Sequence, residues 1–309
     1  MVEATNVAYV FPGQGSQWAG MGRDLYENFA AAKAVFQQAD EVLGFPLSKL
    51  CFEGPEEALR QTINAQPAIL IVSYACLEAA REVNSNLPPA RFVAGHSLGE
   101  YTALAVSEVF DFRTAVYLAR ERGRLMHEAG TIRSGSMAAV IGLEESPLQG
   151  VCQQTGTYIV NMNSPGQLVI SGDSDGVVKA MALARDRGAA RVILLPVSCA
   201  FHTPLMQPAV EGMTEIIARL TFADPSIPVI ANVTARPLTT AQEVKEELIQ
   251  QLVNCVQWQR SVEFMIGEGV TTFIEIGPGK VLASLIKRIN REVQTINIGD
   301  APAVSSSLA

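Results

Sequence analysis

Residues 95–99 read GHSLG, a serine with a glycine two positions away on each side. An apolar run ends just before this segment and a helical pattern begins just after it, which is the context of the sharp turn that exposes a nucleophilic serine. The glycines permit such a turn because they have no Cβ atoms to clash. The alternative is a serine that caps an ordinary helix. The strand before and the helix after favour Ser97 as a nucleophile.

A serine hydroxyl needs a base, and the chain has only three histidines. His96 lies beside Ser97 on the turn, so we do not expect its ring to face the same oxygen. His127 lies near the end of a helical segment. By elimination we predict His202 as the base. No acidic residue lies in a recognisable position to orient it, so a backbone carbonyl is expected to do so, giving a dyad.

Backbone N–H groups are the expected donors to a developing oxyanion. The turn directs the N–H of Leu98, at the start of the following helix, toward the space above Ser97. Gln14 lies between two glycines at the end of the first predicted strand, in FPGQGSQW, and its N–H is the second candidate. The competing interpretation of this glycine-rich segment is a dinucleotide-binding turn. Trp18 stands at the position of the third glycine and no acidic strand end follows at the expected distance, so this interpretation is disfavoured.

Short apolar runs alternate with helical patterns along the chain, which predicts an α/β fold with a mainly parallel sheet. Between residues 132 and 197 the order becomes strand–helix–strand–strand–helix–strand, the ferredoxin-like pattern βαββαβ. We predict a small ferredoxin-like subdomain at 132–197, inserted into a large catalytic subdomain formed by 1–131 and 198–309. Further predictions are strands at 7–11 and 92–94, helices at 24–43 and 203–220, and a disordered tail from residue 301.

Composition disfavours several functional classes. The 309-residue chain has a net charge of −8, which argues against nucleic acid as its main partner. Its five cysteines form no Cys-x-x-Cys pair, so we expect reduced thiols, no metal site and a cytoplasmic location. No membrane partner is expected.

Seven motifs occur in a fixed order along the chain: FPGQGSQ, GHSLGE, RERGRLMHEAG, NSPGQLVISG, AFHTPLM, VQW and EIGPGKVL. Together they closely resemble the malonyl-CoA:acyl carrier protein transacylases of fatty acid synthesis and the acyltransferases of polyketide synthases. The resemblance runs from about residue 9 to residue 289. It implies an α/β-hydrolase-like core with an inserted ferredoxin-like subdomain, in agreement with the predicted order of elements.

The resemblance also implies roles in acyl transfer. Ser97 would receive malonyl from coenzyme A as an ester, with His202 acting as base and then as acid. The backbone N–H groups of Gln14 and Leu98 would form the oxyanion hole. The carbonyl of Gln257, in NCVQWQR, would accept the ring N–H of His202.

A second set of residues is expected to bind the acyl group. Arg122 matches the family arginine that pairs with the malonyl carboxylate, as a planar guanidinium can do through two parallel hydrogen bonds. Met126 follows one helical turn later. Phe201, beside the base, resembles the malonyl-selective pattern, because its ring would crowd an α-methyl group. His96 and Gln66 complete the predicted substrate-binding set.

The chain departs from the family pattern at two positions. Cys255 stands where proline is usual, and His127 stands where glutamine is common after the methionine.

The implied reaction is ping-pong: malonyl-CoA acylates the serine, and the phosphopantetheine thiol of an acyl carrier protein then takes the acyl group. No permanently bound cofactor is implied, and a monomer is expected. Because such carrier proteins are acidic, docking would use a basic surface, for which 185–191 and 287–291 are candidates. The alternative is that these clusters are only solvated surface residues. Two alternatives are a serine hydrolase or thioesterase, for which a buried arginine facing the serine would be wasted, and a non-catalytic carrier-binding module, which would not need both the serine and the histidine.

Overall fold

The structure is a computed structural model, and it describes residues 6–84, 87–197 and 199–306. Its strands are β1 (Val7–Phe11), β2 (Phe92–Gly95), β3 (Gly135–Ile141), β4 (Tyr158–Ser164), β5 (Gln167–Asp173), β6 (Arg191–Leu194), β7 (Val229–Ile230), β8 (Pro237–Leu238), β9 (Thr272–Ile276) and β10 (Gln294–Ile298). Its helices are α1 (Arg23–Asn28), α2 (Ala30–Leu43), α3 (Leu47–Glu53), α4 (Glu56–Arg60), α5 (Thr62–Val83), α6 (Gly99–Val106), α7 (Phe112–Ile132), α8 (Glu145–Thr155), α9 (Ser174–Asp186), α10 (Gln207–Ala218), α11 (Ala241–Gln250), α12 (Trp258–Gly267), α13 (Val281–Ile289) and α14 (Ala301–Ser306).

The larger sheet has six strands in the order β10-β9-β1-β2-β7-β8. Every neighbouring pair is parallel except β7 with β8. Buried parallel strands read as continuous apolar runs, and the FVAG sequence of β2 is buried throughout. In the β1–β2 register Phe11 lies opposite Gly95, so the segments that follow both strands leave the sheet at the same edge. This register brings the turn after β1 next to the turn after β2.

The smaller sheet has four strands in the order β4-β5-β3-β6, and all neighbouring pairs are antiparallel. With α8 and α9 this is the ferredoxin-like arrangement, so the predicted fold class is confirmed. Its strands alternate between two faces, as a half-buried sheet requires. Leu168 and Ile170 of β5 pack against α8 and α9, whereas Val169 between them joins the core of the larger subdomain.

The predicted subdomain boundaries at 132 and 197 stay a prediction. The strands of the smaller sheet lie between Gly135 and Leu194, inside those limits. Several outer limits of the predicted division, at residues 1, 198 and 309, lie outside the described residues.

Three predicted elements differ from the structure. The predicted helix at 24–43 is interrupted at Phe29, which has extended backbone (φ −128°, ψ 126°) between α1 and α2. The predicted helix at 203–220 begins with a 3₁₀ turn, Pro204–Met206, before α10. The prediction of a disordered tail is wrong as far as Ser306: α14 forms because Val304 is buried and the Ala301 N–H donates to Asp24 Oδ2 at 2.7 Å. Residues 307–309 lie outside the described residues.

Within the described ranges one helix, α5, is long and apolar enough by composition to cross a membrane, but 78% of its most apolar window is buried inside the protein. It packs against α2 and α7 as the central helix of the larger subdomain. Helices of this kind are apolar on all sides because they are surrounded by protein.

Candidate active site

Ser97 lies on the turn between β2 and α6 with φ 51°, in the left-handed region that side-chain-bearing residues rarely adopt. The two flanking glycines are required by close packing. A Cβ on Gly95 would lie 1.9 Å from the Gly99 carbonyl carbon, and one on Gly99 would lie 2.1 Å from the Phe11 carbonyl oxygen. The GHSLG segment therefore forms the predicted nucleophile turn, seated on the end of β1.

His202 is brought to this turn from the other side of the cavity. Its Nε2 lies 2.9 Å from Ser97 Oγ, and its Nδ1 lies 2.7 Å from the carbonyl oxygen of Gln251. Because a carbonyl oxygen only accepts, Nδ1 carries the proton and Nε2 is free to accept from the serine hydroxyl. This is a Ser–His pair oriented by a backbone carbonyl, as the absence of a recognisable acid in the sequence predicted.

The carbonyl is not the predicted one. We expected Gln257 to orient His202, but its carbonyl oxygen accepts from the N–H and the hydroxyl of Ser261, at 2.9 and 3.1 Å. Those bonds belong to the first turn of α12, so the carbonyl is turned away from the histidine. Gln251, the residue directly after α11, takes the role instead.

His202 is 5% exposed, and burial followed by the positive charge of Arg122 lowers its pKa to about 3. The imidazole is therefore neutral at physiological pH, which is the form a general base requires.

Arg122 is 1% exposed and lies beside the nucleophile: its Nη2 is 3.1 Å from Ser97 Oγ. Its other partners are neutral amides. Nη2 donates to Gln251 Oε1 at 2.7 Å, and Nη1 donates to Gln66 Oε1 at 2.6 Å. Among the described residues no carboxylate forms a salt bridge with this guanidinium, and its buried Nε has no hydrogen-bond partner. A buried cation with free donors is a site for an anionic group of a ligand.

Gln66 contacts the Arg122 guanidinium, and Met126 contacts Gln66. Gln66 Nε2 donates to Thr62 Oγ1 at 2.8 Å and lies 3.5 Å from Met126 Sδ. Thr62 Oγ1 donates in turn to Gln14 Oε1 at 2.9 Å. The predicted oxyanion residue and the predicted substrate residues are thus joined in one hydrogen-bonded chain.

The backbone N–H groups of Gln14 and Leu98 make no hydrogen bond to another group within the part of the chain that the structure describes. Gln14 lines the cavity above the serine. Leu98 directly follows the nucleophile at the start of α6, where the helix dipole also favours negative charge.

The site opens into a cavity of about 280 Å³ between the two subdomains. Phe201 lines it beside the histidine. His96 lines it too, but its Nε2 lies 2.8 Å from Asn163 Oδ1 of β4, so its ring faces away from Ser97 Oγ as predicted. Burial lowers the pKa of His96.

Two sequence features, the departures from the family pattern, lie outside the cavity lining. Of the two departures from the family pattern, His127 is exposed on α7 and Cys255 is half-buried. The five cysteines are free thiols. No group of three or more histidine, cysteine or acidic residues suited to a metal ion occurs among the residues that were described.

Sequence reasoning missed two side chains that hold the site, Asn232 and Gln251. Asn232 Oδ1 accepts the Ser97 N–H at 2.7 Å, and Gln251 Nε2 donates to the Ser97 carbonyl at 3.0 Å. Both lie far from the serine in sequence, and amides of this kind carry no local motif. Only the tertiary structure brings them to the turn.

The sequence of the chain matches the acyl transferase domain family over residues 8–301. This protein belongs to the acyl transferase family. It is 45% identical to the malonyl CoA-acyl carrier protein transacylase of Bacillus subtilis (strain 168), with 98% of this chain and 96% of that protein covered. It is 40% identical to the polyketide biosynthesis malonyl CoA-acyl carrier protein transacylase PksC of the same organism, covering 94% of this chain and 99% of that protein.

Solved structures of family members share the whole fold. The acyl-carrier-protein-S-malonyltransferase from Bartonella henselae superposes with a TM-score of 0.94 at 40% identity, covering 98% of each chain. A type II polyketide malonyl-transacylase in complex with its acyl carrier protein superposes with a TM-score of 0.94 at 37% identity, covering 98% of this chain and 99% of that chain.

Proposed function

We propose that this protein is an [acyl-carrier-protein] S-malonyltransferase, which moves malonyl from malonyl-CoA to the phosphopantetheine thiol of an acyl carrier protein in fatty acid or polyketide biosynthesis. The observation that carries the proposal is the buried guanidinium of Arg122, 3.1 Å from the Ser97 hydroxyl and without a carboxylate partner among the described residues. A malonyl thioester presents a carboxylate two bonds from the carbonyl that is attacked. The cation therefore selects a dicarboxylic half-thioester over a neutral acyl group.

The first half-reaction acylates the serine. His202 Nε2 takes the Ser97 proton as Oγ attacks the thioester carbonyl, and the N–H groups of Gln14 and Leu98 stabilise the oxyanion. The carbon–sulfur bond then breaks, and the leaving CoA sulfur takes the proton from the imidazolium. Free CoA leaves, and the malonyl group remains as an ester with its carboxylate on Arg122.

The second half-reaction runs the same steps with a new nucleophile. The phosphopantetheine thiol gives its proton to His202 Nε2 and its sulfur attacks the ester carbonyl. The bond to Ser97 Oγ then breaks, and Oγ takes the proton back from the imidazolium. No metal or redox cofactor takes part, because every proton and electron pair is supplied by the serine, the histidine and the thiols.

Phe201, Met126, His96 and Gln66 shape the binding site. The Phe201 ring occupies the space beside the base and favours malonyl over α-methyl-branched relatives. Gln66 holds Nη1 of Arg122 and Met126 packs against that amide. His96 forms the cavity wall with Asn163. We expect the enzyme to act as a cytoplasmic monomer on malonyl-CoA and a carrier protein, without nucleic acid or membrane partners.

The test follows malonyl to its acceptor. The purified protein is mixed with malonyl-CoA in the presence and absence of a phosphopantetheinylated carrier protein, and both proteins are weighed by intact mass spectrometry while free CoA is measured. The proposal predicts CoA release limited to one equivalent per enzyme without carrier, and continuing turnover to malonyl-carrier with it. Continuous CoA release without carrier would instead identify a hydrolase.

A further inference from the structure

Gln251 connects three parts of the active site. Its side-chain Oε1 accepts from Arg122, its Nε2 donates to the Ser97 carbonyl, and its backbone carbonyl accepts from His202. The amide orientation is fixed, because the guanidinium can only donate and the Ser97 carbonyl can only accept. The residue is 0% exposed, so water does not substitute for any of these partners.

Asn232 holds the nucleophile turn from the opposite side. Its Oδ1 accepts the Ser97 N–H at 2.7 Å, and its Nδ2 donates to the Gly95 carbonyl at 2.7 Å. This orientation is fixed in the same way, since one partner is an N–H and the other a carbonyl. The backbone N–H and the carbonyl of the strained serine are therefore each held by a side-chain amide.

Both amides are bound by a single carboxyl group, that of Glu100. Its Oε1 accepts from the backbone N–H of Asn232 at 2.8 Å and from Asn232 Nδ2 at 3.1 Å, and its Oε2 accepts from Gln251 Nε2. Glu100 lies in the first turn of α6, three residues after the nucleophile, and is 0% exposed. No step of acyl transfer uses this carboxyl group directly.

A second buried carboxyl group lies against the first. Glu247 of α11 is 5% exposed, and its Oε1 accepts the Val233 N–H at 2.9 Å. Burial raises the pKa of both carboxyl groups, and the charge of Glu247 raises that of Glu100 further. Two buried carboxyl groups placed this close do not ionise independently, so they titrate as a pair. The groups facing the pair are the charged guanidinium of Arg122 and, on the same helix as Glu100, the phenol of Tyr101, which is neutral because burial raises its pKa.

We propose that Glu100 is a positioning residue for acyl transfer: it holds the Gln251 and Asn232 amides that clamp the Ser97 backbone. This inference rests on the proposed function for its substrate. It explains why a carboxyl group stands in the GHSLGE segment although it never touches the substrate. Glu100 acts through two amides on the nucleophile, the base and the carboxylate-binding arginine.

The chemistry of the clamp predicts what substitution does. The three groups that hydrogen-bond to Glu100 are all N–H donors, whereas a glutamine has one acceptor oxygen and one NH₂ group. In Glu100→Gln, the new NH₂ group therefore faces an N–H donor of Asn232 or Gln251, and the hydrogen bond at that position is lost. Gln251 cannot flip to relieve this, because its NH₂ would then face the Arg122 guanidinium. A buried donor without an acceptor destabilises this arrangement, so we expect one of the two amides to lose its position against the Ser97 backbone.

The first measurement is the single-turnover rate of serine acylation by malonyl-CoA, followed by intact mass. We expect Glu100→Gln to slow acylation about 10- to 100-fold, while the half-saturating malonyl-CoA concentration stays within about 3-fold, because Arg122 keeps its bond to Gln66. Thermal unfolding of the same samples establishes that the variant is folded at the assay temperature.

Glu247→Gln is the matched variant, since it also replaces a buried carboxyl group by an amide, but in the other member of the pair. Its oxygen can keep the Val233 N–H, and none of the three N–H bonds that Glu100 accepts is changed. We expect it to retain acylation within about 5-fold of the wild type. A merely structural role would instead make the two variants lose activity in proportion to their loss of thermal stability.

A second readout keeps this test separate from that of the proposed function. A fluorophosphonate probe reacts with an activated serine without requiring malonyl binding. If the wild type takes no malonyl from malonyl-CoA, the proposed function fails, and the labelling rates of the variants still decide the inference. Equal labelling and acylation rates for Glu100→Gln and the wild type would overturn it. If Glu100→Gln does not fold, Glu100→Asp replaces it, with the same expected loss, because the shorter side chain cannot reach both amides.

Discussion

Ser97 and His202 both have left-handed backbone conformations, with φ 51° and 59°. Such conformations cost energy for residues with a Cβ and persist where the surroundings impose them. Here the surroundings are specific: Asn232 holds the serine N–H, and the Gln251 carbonyl holds the histidine ring. The same bonds that impose the strain aim Oγ and Nε2 at one another.

The protonation state of His202 gives a prediction at the residue scale. Burial and the charge of Arg122 lower its pKa to about 3, so the folded protein keeps the ring neutral where an exposed histidine would be protonated. We expect ¹⁵N NMR of the ring to show the neutral Nδ1–H form from about pH 8 down to about pH 5. Assignment uses the signal lost in His202→Gln. An imidazolium signal from this residue at about pH 6 would contradict the account.

Phe201 gives a second prediction at this scale. The ring lines the cavity and is 7% exposed. Phe201→Ala opens space for an α-methyl group, so the preference for malonyl-CoA over methylmalonyl-CoA in kcat/KM should fall by about 5- to 100-fold. The variant also loses core packing, and thermal unfolding measures that loss separately. An unchanged ratio in a folded variant would place the methyl-sensing surface elsewhere in the cavity.

The serine could be predicted from sequence because a motif marks it, and the histidine because the chain has only three. A strand–GHSLG–helix order marks one serine, and three histidines leave one candidate base. The orienting carbonyl could not be found in this way, since every residue has a backbone carbonyl and only the loop after α11 decides which one meets the ring. That is why Gln257 was predicted and Gln251 is observed.

At the element scale, the site depends on how closely α6 approaches β1. Gly99 begins α6, and a Cβ there would lie 2.1 Å from the Phe11 carbonyl oxygen, which belongs to the sheet and cannot move freely. We expect Gly99→Ala to unfold the protein or strongly lower its thermal midpoint.

The matched control is Gly267→Ala at the end of α12, where a Cβ meets no atom within 4 Å. It should leave the midpoint within a few degrees of the wild type, because alanine suits a helix at least as well as glycine. Equal stability of the two variants would show that the turn adjusts more easily than its packing indicates.

Sequence patterns predicted those elements whose periodicity was strong. The strands of the smaller sheet alternate between faces and were found, as was the buried strand before the serine. Helices α12 and α13 were not predicted, and α14 was taken for a disordered tail. In α14 the sequence APAVSS has weak helical propensity, and the Ala301 N–H bond to Asp24, 277 residues away, stabilises its start.

At the scale of the whole molecule, the cavity is built by both subdomains. Asn161 and Val169 come from the smaller sheet, whereas Gln14 and Phe201 come from the larger subdomain. Contacts such as that between Arg260 and Glu145, at 3.3 Å, join the two. The fold therefore places the serine at the bottom of a cleft of suitable size for a thioester arm.

Two basic clusters continue chain segments that line this cleft. β6 begins at Arg191 and runs into Leu195 and Val197 of the cavity wall, and α13, whose first turn lines the cavity, is followed by Arg291. An acidic carrier protein would be attracted to the positive charge of these clusters, although the chain as a whole carries −8.

We expect Arg191→Glu and Arg291→Glu each to raise the KM for the carrier protein about 3- to 10-fold, and the effect to shrink as salt increases. Acylation of the serine at saturating malonyl-CoA should be unchanged. Arg219→Glu, at an exposed residue directly after α10 and outside the cavity lining, is the control and should not alter this KM. If all three variants behave alike, the carrier docks elsewhere.

The most direct test of the central claim compares how malonyl-CoA and acetyl-CoA acylate the protein in the presence and in the absence of the Arg122 guanidinium. Malonyl-CoA and acetyl-CoA are offered separately to the wild type, Arg122→Ala and Ser97→Ala, and the mass of each intact protein is read within seconds. We predict a malonyl adduct on the wild type, none on Ser97→Ala, and a preference for malonyl over acetyl that Arg122→Ala abolishes or reverses. Equal adducts from both thioesters on the wild type, unchanged in Arg122→Ala, would contradict the assignment of Arg122 as the group that selects the carboxylate.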